Sequence, residues 1–366
     1  MLLGGNSLEP TEPKGSRGPT EAKGLLDLKG LLDPKVTILS GGFGGARFVS
    51  SMDLVLDGAC CIVNTGDDAI INGLRVSPDL DSVIYALQKQ FDFERGYGIE
   101  GDTFIIEHLM PWGSLRWFNI GDRDFVTHCL RTRDLMRRQT LSDSTSKRMR
   151  HSKSQWIVIP MSNDKVVTEI QTPKGILGFQ NFVVEHRGLP KIERVNYQGA
   201  QSAKPAPGVI ESLQNADLVI VGPSSPVASI GPMLAISSLK EGLVQTQAPV
   251  IAITPVVIGQ VPITAPEKMR FELRSKLCKA QGIEHTPYGI AKHYLEFIDG
   301  FVLDERDIEF QGAIEDLGIR VLATNTLPER LREQNHYAKS VISFGTNLVR
   351  RNRQVRPDQI QLDCIG

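Results

Sequence analysis

The chain has 366 residues, of which 41% are hydrophobic and 23% are charged, and its formal net charge is -1. This length allows one large domain or two ordinary ones, the composition is that of a globular protein, and the near-zero charge argues against a nucleic-acid-binding surface. No apolar stretch approaches the ~20 residues of a membrane span, and the five scattered cysteines lack a Cys-x-x-Cys pair. We therefore expect a cytoplasmic protein without a disulfide framework, a zinc site or a membrane partner.

The two ends of the chain differ in composition from the middle. Residues 1–34 are rich in proline, glycine and mixed charges, which is typical of a disordered leader. Between residues 35 and 345, apolar runs alternate with helical patterns, which predicts a single α/β domain. Residues 346–366 form a basic tail that we expect to fray.

A glycine-rich segment separates the first predicted strand, residues 36–39, from an amphipathic helical pattern at residues 46–56. Glycine lets the backbone approach a phosphate closely, and the helix that follows presents unpaired N–H groups. The spacing matches neither Gly-x-Gly-x-x-Gly nor the P-loop pattern, so the segment predicts a general anion site or, alternatively, only a tight structural turn. Its glycines are Gly41, Gly42, Gly44 and Gly45.

The strand pattern recurs along the chain, and each run ends in a small or acidic cluster. In an open α/β sheet, such clusters meet in a crevice at the carboxyl ends of the strands. A helix capped by Ser77, with Pro78 in its first turn, follows the second strand. The pattern predicts a Rossmann-like open, mostly parallel sheet. Its further strands lie at residues 59–63, 156–159, 217–221, 250–253 and 300–303, and a last helix follows Pro328.

Two segments depart from this alternation. Residues 124–154 are helical and basic, which favours a solvated helical insertion over a lid that binds an anionic ligand. Residues 165–200 alternate between apolar and polar side chains, as strands with one buried face do. This second segment predicts a small antiparallel subdomain attached to the main sheet.

Acidic residues follow the second strand and begin the helix after it. Asp67 and Asp68 lie at the strand end, and Asp79 and Asp81 lie at the helix start. Carboxylates are the hard oxygen ligands that Mg²⁺ prefers when it also holds phosphates. We therefore predict a Mg²⁺ site with Asp67 and Asp68 as the candidate metal ligands. For Asp79, an interaction with the helix dipole is an equal alternative.

Two further clusters contain candidate binding residues. Arg123 stands between Asp122 and Asp124, which can hold its guanidinium as a fork for an anion or form a purely structural ion-pair cluster. Ser224 and Ser225 follow the strand at residues 217–221 and are placed to close a phosphate site as hydrogen-bond donors. A serine nucleophile is not indicated, because the Gly-x-Ser-x-Gly elbow is missing.

Several of these segments, in this order and at this spacing, resemble the family of 2-phospho-L-lactate transferases. The similarity extends from about residue 36 to about residue 338, so only the leader and the basic tail fall outside it. The matching motifs are Ser40-Gly41-Gly42-Phe43-Gly44-Gly45-Ala46-Arg47, Asn64-Thr65-Gly66-Asp67-Asp68, Gly73-Leu74-Arg75-Val76-Ser77-Pro78-Asp79-Leu80-Asp81, Gly121-Asp122-Arg123-Asp124 and Gly222-Pro223-Ser224-Ser225-Pro226.

The resemblance implies a step of coenzyme F-420 biosynthesis with Mg²⁺ as cofactor. A phospholactyl or phosphoenolpyruvyl group moves from a guanosine diphosphate-linked donor to the terminal hydroxyl of the deazaflavin alcohol 7,8-didemethyl-8-hydroxy-5-deazariboflavin, and GMP leaves. It also implies that Asp81 and Arg123 bind this alcohol and act in catalysis, and that Asp67 and Asp68 lie near the metal. The residues on the nucleotide side are then Gly41, Gly42, Gly44, Gly45, Ser224 and Ser225.

Two departures from the family pattern bear on the prediction. Phe43 replaces a threonine common in the glycine segment, and Ser225 replaces an asparagine, which removes an amide that could contact the nucleotide. The main alternative is a non-enzymatic regulator that binds a nucleotide sugar on a related fold, although such a protein would not need the motifs at Asp81 and Arg123 together. The sequence leaves the oligomeric state open, a homodimer included.

Overall fold

The structure, a computed structural model, describes residues 34–109, 117–150, 152, 154–260 and 265–348. The predicted leader lies outside these ranges apart from residue 34, and the predicted basic tail lies outside them beyond residue 348. Within these ranges, no helix is both long enough and apolar enough to cross a membrane.

In this part of the chain, seven parallel strands form an open sheet in the order β12-β11-β10-β9-β1-β2-β5. The chain order reverses beside β1, which pairs with β2 on one side and with β9 on the other. Ligands bind at such a switch point in open α/β sheets, and the predicted Rossmann-like fold is confirmed. The strands of this sheet are β1 (Val36–Ser40), β2 (Cys60–Val63), β5 (Ile157–Pro160), β9 (Leu218–Val221), β10 (Val250–Ile253), β11 (Gly300–Asp304) and β12 (Arg320–Thr324).

Helices cover both faces of this sheet. They are α1 (Gly42–Met52), α2 (Pro78–Leu87), α3 (Ile105–Leu109), α4 (Asp122–Met136), α5 (Leu141–Met149), α6 (Val209–Gln214), α7 (Ile230–Leu234), α8 (Ser237–Gln245), α9 (Ala265–Ala280), α10 (Pro287–His293), α11 (Gln311–Glu315) and α12 (Leu331–Thr346). Neighbouring side chains of a strand point to opposite faces. Ile38 therefore enters a core with α1, α2 and α12, whereas Leu39 enters a core with α6, α7 and α8.

Two small antiparallel sheets accompany the main one. The hairpin of β3 (Ala69–Ile71) and β4 (Leu74–Val76) turns at Asn72-Gly73, where both residues have positive φ, as a two-residue hairpin turn requires. The strands β6 (Val167–Thr172), β7 (Gly175–Gly178) and β8 (Arg194–Gln198) form a sheet in the order β7-β6-β8. This second sheet confirms the small antiparallel subdomain.

Local structure differs from the sequence-based expectation at two helix starts. Helix α1 begins at Gly42 rather than near residue 46, so most of the glycine-rich segment is the first turn of the helix. Ser77 occupies the cap position of α2, but its hydroxyl does not cap the helix. It donates instead to Asp68 Oδ2 at 2.8 Å, because this carboxylate lies against the helix start and needs a donor.

Candidate active site

The glycine segment follows β1 and is packed without room for side chains. A Cβ atom at Gly41 would overlap the Asp79 carboxylate and lie 2.8 Å from Ser229 Cβ, and one at Gly44 would overlap the Pro223 carbonyl oxygen. Gly42 also has a φ of 65°, in the left-handed region. Close packing therefore explains the glycines, and it brings the first N–H groups of α1 to the wall of a cavity.

The variant Gly44→Ala tests this packing. The added methyl group would force the turn after β1 away from the turn after β9, which we expect to destabilise the protein by about 1–3 kcal/mol. Urea unfolding measures this effect. Gly312→Ala is the matched control, because a Cβ there meets no atom within 4 Å and a helix accepts alanine well. Equal stability of the two variants would contradict the account.

Ser224 and Ser225 lie in the turn after β9, opposite the glycine segment. The buried Ser224 Oγ accepts a hydrogen bond from the Gly41 amide at 3.0 Å. Ser225 Oγ accepts from the Ala228 amide at 3.0 Å, so it stabilises its own turn. Both serines line the cavity, but the Ser225 hydroxyl is partly engaged within the protein.

Asp79 connects the glycine segment with the acidic cluster. Its carboxylate lies against Gly41 and is hydrogen-bonded by the Gly42 amide and the Ser229 hydroxyl. The Asn64 amide donates to Asp79 Oδ2 at 2.9 Å and to Asp67 Oδ1 at 3.2 Å, so it holds the two carboxylates beside each other. The second Asp67 oxygen accepts from Gln180 Nε2 at 3.1 Å.

Burial and mutual repulsion raise the pKa values of this cluster. Burial raises the pKa of Asp68 to about 8, against an opposing hydrogen bond from Ser77. Burial and the neighbouring charges of Asp79 and Asp68 raise the pKa of Asp67 well above its usual range. The pKa of Asp79 is raised to about 6 by burial, which the hydrogen bonds from Asn64 and Ser229 partly offset. Burial therefore favours the protonated, neutral form of these carboxyls over the charged form.

These residues fit a divalent cation. Asp68 Oδ1 and Thr65 Oγ1 are buried without a hydrogen-bond partner in the described structure, and Asp67 and Asp79 are close enough to share a proton. Oxygen ligands of this kind suit Mg²⁺. Asp67 and Asp79, which Asn64 holds beside each other, are the pair that would hold it. Asp68 is a further candidate, but ligand atoms of all three carboxylates do not lie within 4.8 Å of one another in the described structure.

A second set of possible metal ligands is already neutralised. One ligand atom each of Asp81, Asp124 and His128 lies within 4.8 Å of the others. However, the buried Arg131 guanidinium binds both Asp81 oxygens, one of them at 2.9 Å, and Tyr85 donates to Asp124 Oδ1 at 2.7 Å. A cation would have to displace Arg131, so we do not place a metal there.

Asp81 and Arg123, the residues expected at the deazaflavin alcohol, are not among those that line the cavity. Both Asp81 oxygens bind Arg131, as described above. Arg123 is exposed, and its Nη1 donates to the Glu100 carbonyl at 3.2 Å. Asp102 accepts from the Arg123 and Asp124 amides and so fixes the start of α4. Binding of the deazaflavin alcohol by Asp81 and Arg123, and their action in catalysis, stay predictions.

The cavity at the carboxyl ends of the strands has a volume of about 350 Å³. It is lined by the glycine segment, the turn after β9 and Asp79, whereas Gly45, Asp67 and Asp68 are not among its lining residues. A Cβ at Gly45 would be 2.7 Å from Ser224 Oγ, so this glycine allows the two turns to pack. The predicted nucleotide residues at the wall are Gly41, Gly42, Gly44, Ser224 and Ser225.

Sequence reasoning missed several residues of the site. Asn64 was part of a motif, but nothing in the sequence indicated that its amide joins Asp67 and Asp79. Arg270 and Arg274 line the cavity from α9, and their spacing of four residues on a helix was the available signal. Arg131 had no local signal beyond the basic character of its helix.

Comparisons with known proteins identify the family. A model of the family 2-phospho-L-lactate transferase CofD matches residues 36–325. A 2-phospho-L-lactate transferase from Methanosarcina mazei is 34% identical over 308 residues, covering 83% of this chain and 98% of the relative. A phosphoenolpyruvate transferase from Streptomyces griseus is 35% identical over 298 residues, covering 79% of this chain and 91% of the relative.

A solved structure shares the fold at lower sequence similarity. A UPF0052-family protein from Bacillus halodurans has a TM-score of 0.54 and 16% identity, and the match covers 85% of this chain and 99% of that one. At this identity, the likeness concerns the fold alone. The family match and the two transferases, by contrast, span nearly all of the described chain. The chain therefore belongs to the 2-phospho-L-lactate transferase family, whose members are transferases.

Proposed function

We propose that this protein is a Mg²⁺-dependent transferase of coenzyme F-420 biosynthesis. It moves a phospholactyl or phosphoenolpyruvyl group from a guanosine diphosphate-linked donor to the terminal hydroxyl of 7,8-didemethyl-8-hydroxy-5-deazariboflavin, and GMP leaves. A 2-phospho-L-lactate transferase and a phosphoenolpyruvate transferase are about equally similar to this chain, at 34% and 35% identity, so the identity of the donated acid stays open.

One observation carries this proposal: the Asp79 carboxylate lies at the N-terminus of α1, against Gly41, in the wall of the cavity. A helix N-terminus attracts a phosphate, whereas a carboxylate at the same place repels one. A divalent cation held by the carboxylate would remove this conflict. The combination favours a metal-bound diphosphate over a bare anion or a neutral sugar.

The chain's own groups mainly position the substrates. In this proposal, amides at the start of α1 and the Ser224 hydroxyl would bind diphosphate oxygens. Asp67 and Asp79 would hold the cation, with Asp68 as a further candidate ligand. When bound, Mg²⁺ neutralises charge on the diphosphate. The acceptor hydroxyl forms a new P–O bond at the phosphorus that bears the acid, and the bond from this phosphorus to the GMP oxygen breaks. The hydroxyl proton passes to the departing GMP phosphate or to water.

The raised pKa values give a pH test of the metal site. Without metal, stability should fall as pH rises from about 4 to about 8, because Asp68 and Asp67 lose protons that the folded state favours. Mg²⁺ must displace these protons, so the increase in Tm that it causes should be larger at pH 8.5 than at pH 6. Thermal unfolding at both pH values measures this. An increase independent of pH would contradict the assignment.

The direct test incubates the purified chain with Mg²⁺, the deazaflavin alcohol and either the phospholactyl or the phosphoenolpyruvyl guanosine diphosphate donor. Mass spectrometry should show the alcohol gaining the phospho-acid and GMP appearing in equal amount. A parallel titration with a nucleotide sugar addresses the regulator alternative. Tight binding of the sugar with no mass gain from either donor would overturn the proposal.

A further inference from the structure

Three arginines line the cavity opposite the acidic cluster without a carboxylate partner. Arg47 comes from α1, and Arg270 and Arg274 come from α9. None of them takes part in an ion pair between described residues. Arg306 lines the same cavity but differs, because its Nη2 binds Asp304 at 3.0 Å. Glu267 and Glu329 also line the cavity, but no carboxylate oxygen of the described residues lies within ion-pair distance of the Arg47, Arg270 or Arg274 guanidinium.

Arg270 is held in a fixed orientation at the glycine segment. Its guanidinium carbon lies 4.4 Å from the centroid of the Phe43 ring. Phe43 is supported in turn by Phe91, with ring centroids 6.2 Å apart. Gly96 leaves the necessary space, since a Cβ there would lie 2.9 Å from Arg270 Nη1. A stacked guanidinium keeps its N–H groups in the plane of the fork, free to bind a planar anion.

Arg274 lies one helical turn after Arg270 on the same face of α9. Its Nη1 donates to the Pro255 carbonyl at 2.6 Å, which uses one of its five N–H donors. Burial, together with repulsion from Arg270, lowers the pKa of Arg274 to about 10. Burial likewise lowers the pKa of Arg270, although Glu267 on the same helix opposes this shift. Both guanidinium groups remain charged near pH 7 and would gain from a bound anion.

The proposed donor has one anionic group that the opposite wall does not bind. The α1 amides, Ser224 and the cation account for its diphosphate, whereas the acid carries a carboxylate beyond it. We propose that Arg270 and Arg274 bind this carboxylate and so select acid-bearing donors over a bare nucleoside diphosphate. This inference rests on the proposed function. A guanidinium fork binds a carboxylate through two parallel hydrogen bonds, and the acid-bearing donors carry this group in addition to the diphosphate that GDP also has.

Calorimetry with the full chain and Mg²⁺ tests the proposal by comparing GDP with the phosphoenolpyruvyl and phospholactyl guanosine diphosphate donors. Arg270→Gln and Arg274→Gln should each weaken the binding of the acid-bearing donors roughly 10- to 100-fold, as expected for a charged hydrogen bond. GDP binding should stay nearly unchanged. Lys268→Gln, an exposed change of equal charge on the same helix, should affect neither ligand.

Three outcomes would overturn the inference. Equal losses for GDP and the donors would assign the arginines to the diphosphate, and no loss for either would show that they do not contact the ligand. If the unaltered chain binds neither GDP nor any donor, the proposed function itself fails. Arg270→Lys provides a second variant should Arg274→Gln unfold: it keeps the charge without the fork and should still weaken donor binding more than GDP binding.

Discussion

Asp79→Asn is expected to slow the transfer reaction by about 10³-fold, equivalent to about 4 kcal/mol of transition-state stabilisation. The substitution keeps the size of the side chain and one oxygen for the hydrogen bond from Asn64, but it removes the negative charge that would hold the proposed cation. Because Asp79 stands between the glycine segment and Asp67, no neighbouring group replaces it. The rate of GMP release at saturating donor, measured by chromatography, gives the size of the loss.

The matched control for this experiment is Asp57→Asn. Asp57 is an exposed carboxylate after α1, and the change removes the same charge outside the cavity. Its rate should equal that of the unaltered protein. Retention of more than about a tenth of the rate by Asp79→Asn would mean a loss of less than about 1.4 kcal/mol of transition-state stabilisation. The assignment of Asp79 to the metal would then be wrong.

Arg131→Ala is expected to lower the free energy of unfolding by about 3–5 kcal/mol. Arg131 is almost fully buried and binds both oxygens of Asp81, whose side chain is buried as well. Removing the guanidinium would leave the Asp81 carboxylate in the interior with only a 3.6 Å contact to His128 Nδ1. Urea unfolding measures the loss.

Arg133→Ala, two residues further along α4, is the control for charge and helix context. Its guanidinium is half exposed and lies 3.2 Å from the buried Asp134. Asp134 keeps Lys147 Nζ at 3.5 Å when Arg133 is removed, and half-exposed pairs contribute at most about 1 kcal/mol. We therefore expect a small change for Arg133→Ala. A similar loss of unfolding free energy for both variants would show that the Arg131–Asp81 pair stabilises the protein no more than the Arg133–Asp134 pair does.

The central sheet was accessible to sequence reasoning because its strands are short apolar runs with both faces buried. β1, β9, β10 and β11 agree with the prediction to within a residue or two at either end. The edge strand β12 was not predicted, since its residues are only partly buried and lack the continuous apolar pattern. The hairpin of β3 and β4 was also missed, although Asn72-Gly73 is a hairpin signal.

The candidate site was predictable only in part, because it depends on contacts between distant segments. The glycines and Ser224 could be assigned from motifs, and the structure joins them through the hydrogen bond between the Gly41 amide and Ser224 Oγ. The partner of Asp81 could not be assigned, since a sequence contains no sign that Arg131 folds back onto it. Phe43 could not be interpreted from the sequence either. Only the structure shows that its ring, in place of the family's threonine, contacts the Arg270 guanidinium.

Anomalous diffraction from crystals grown with GDP and Mn²⁺, as a substitute for Mg²⁺, tests the central claim most directly. We expect a metal peak about 2.1 Å from an oxygen of Asp79, with the diphosphate beside it at the start of α1. A diphosphate bound elsewhere, or a metal peak beside Asp81 and His128 with none at Asp79, would contradict it.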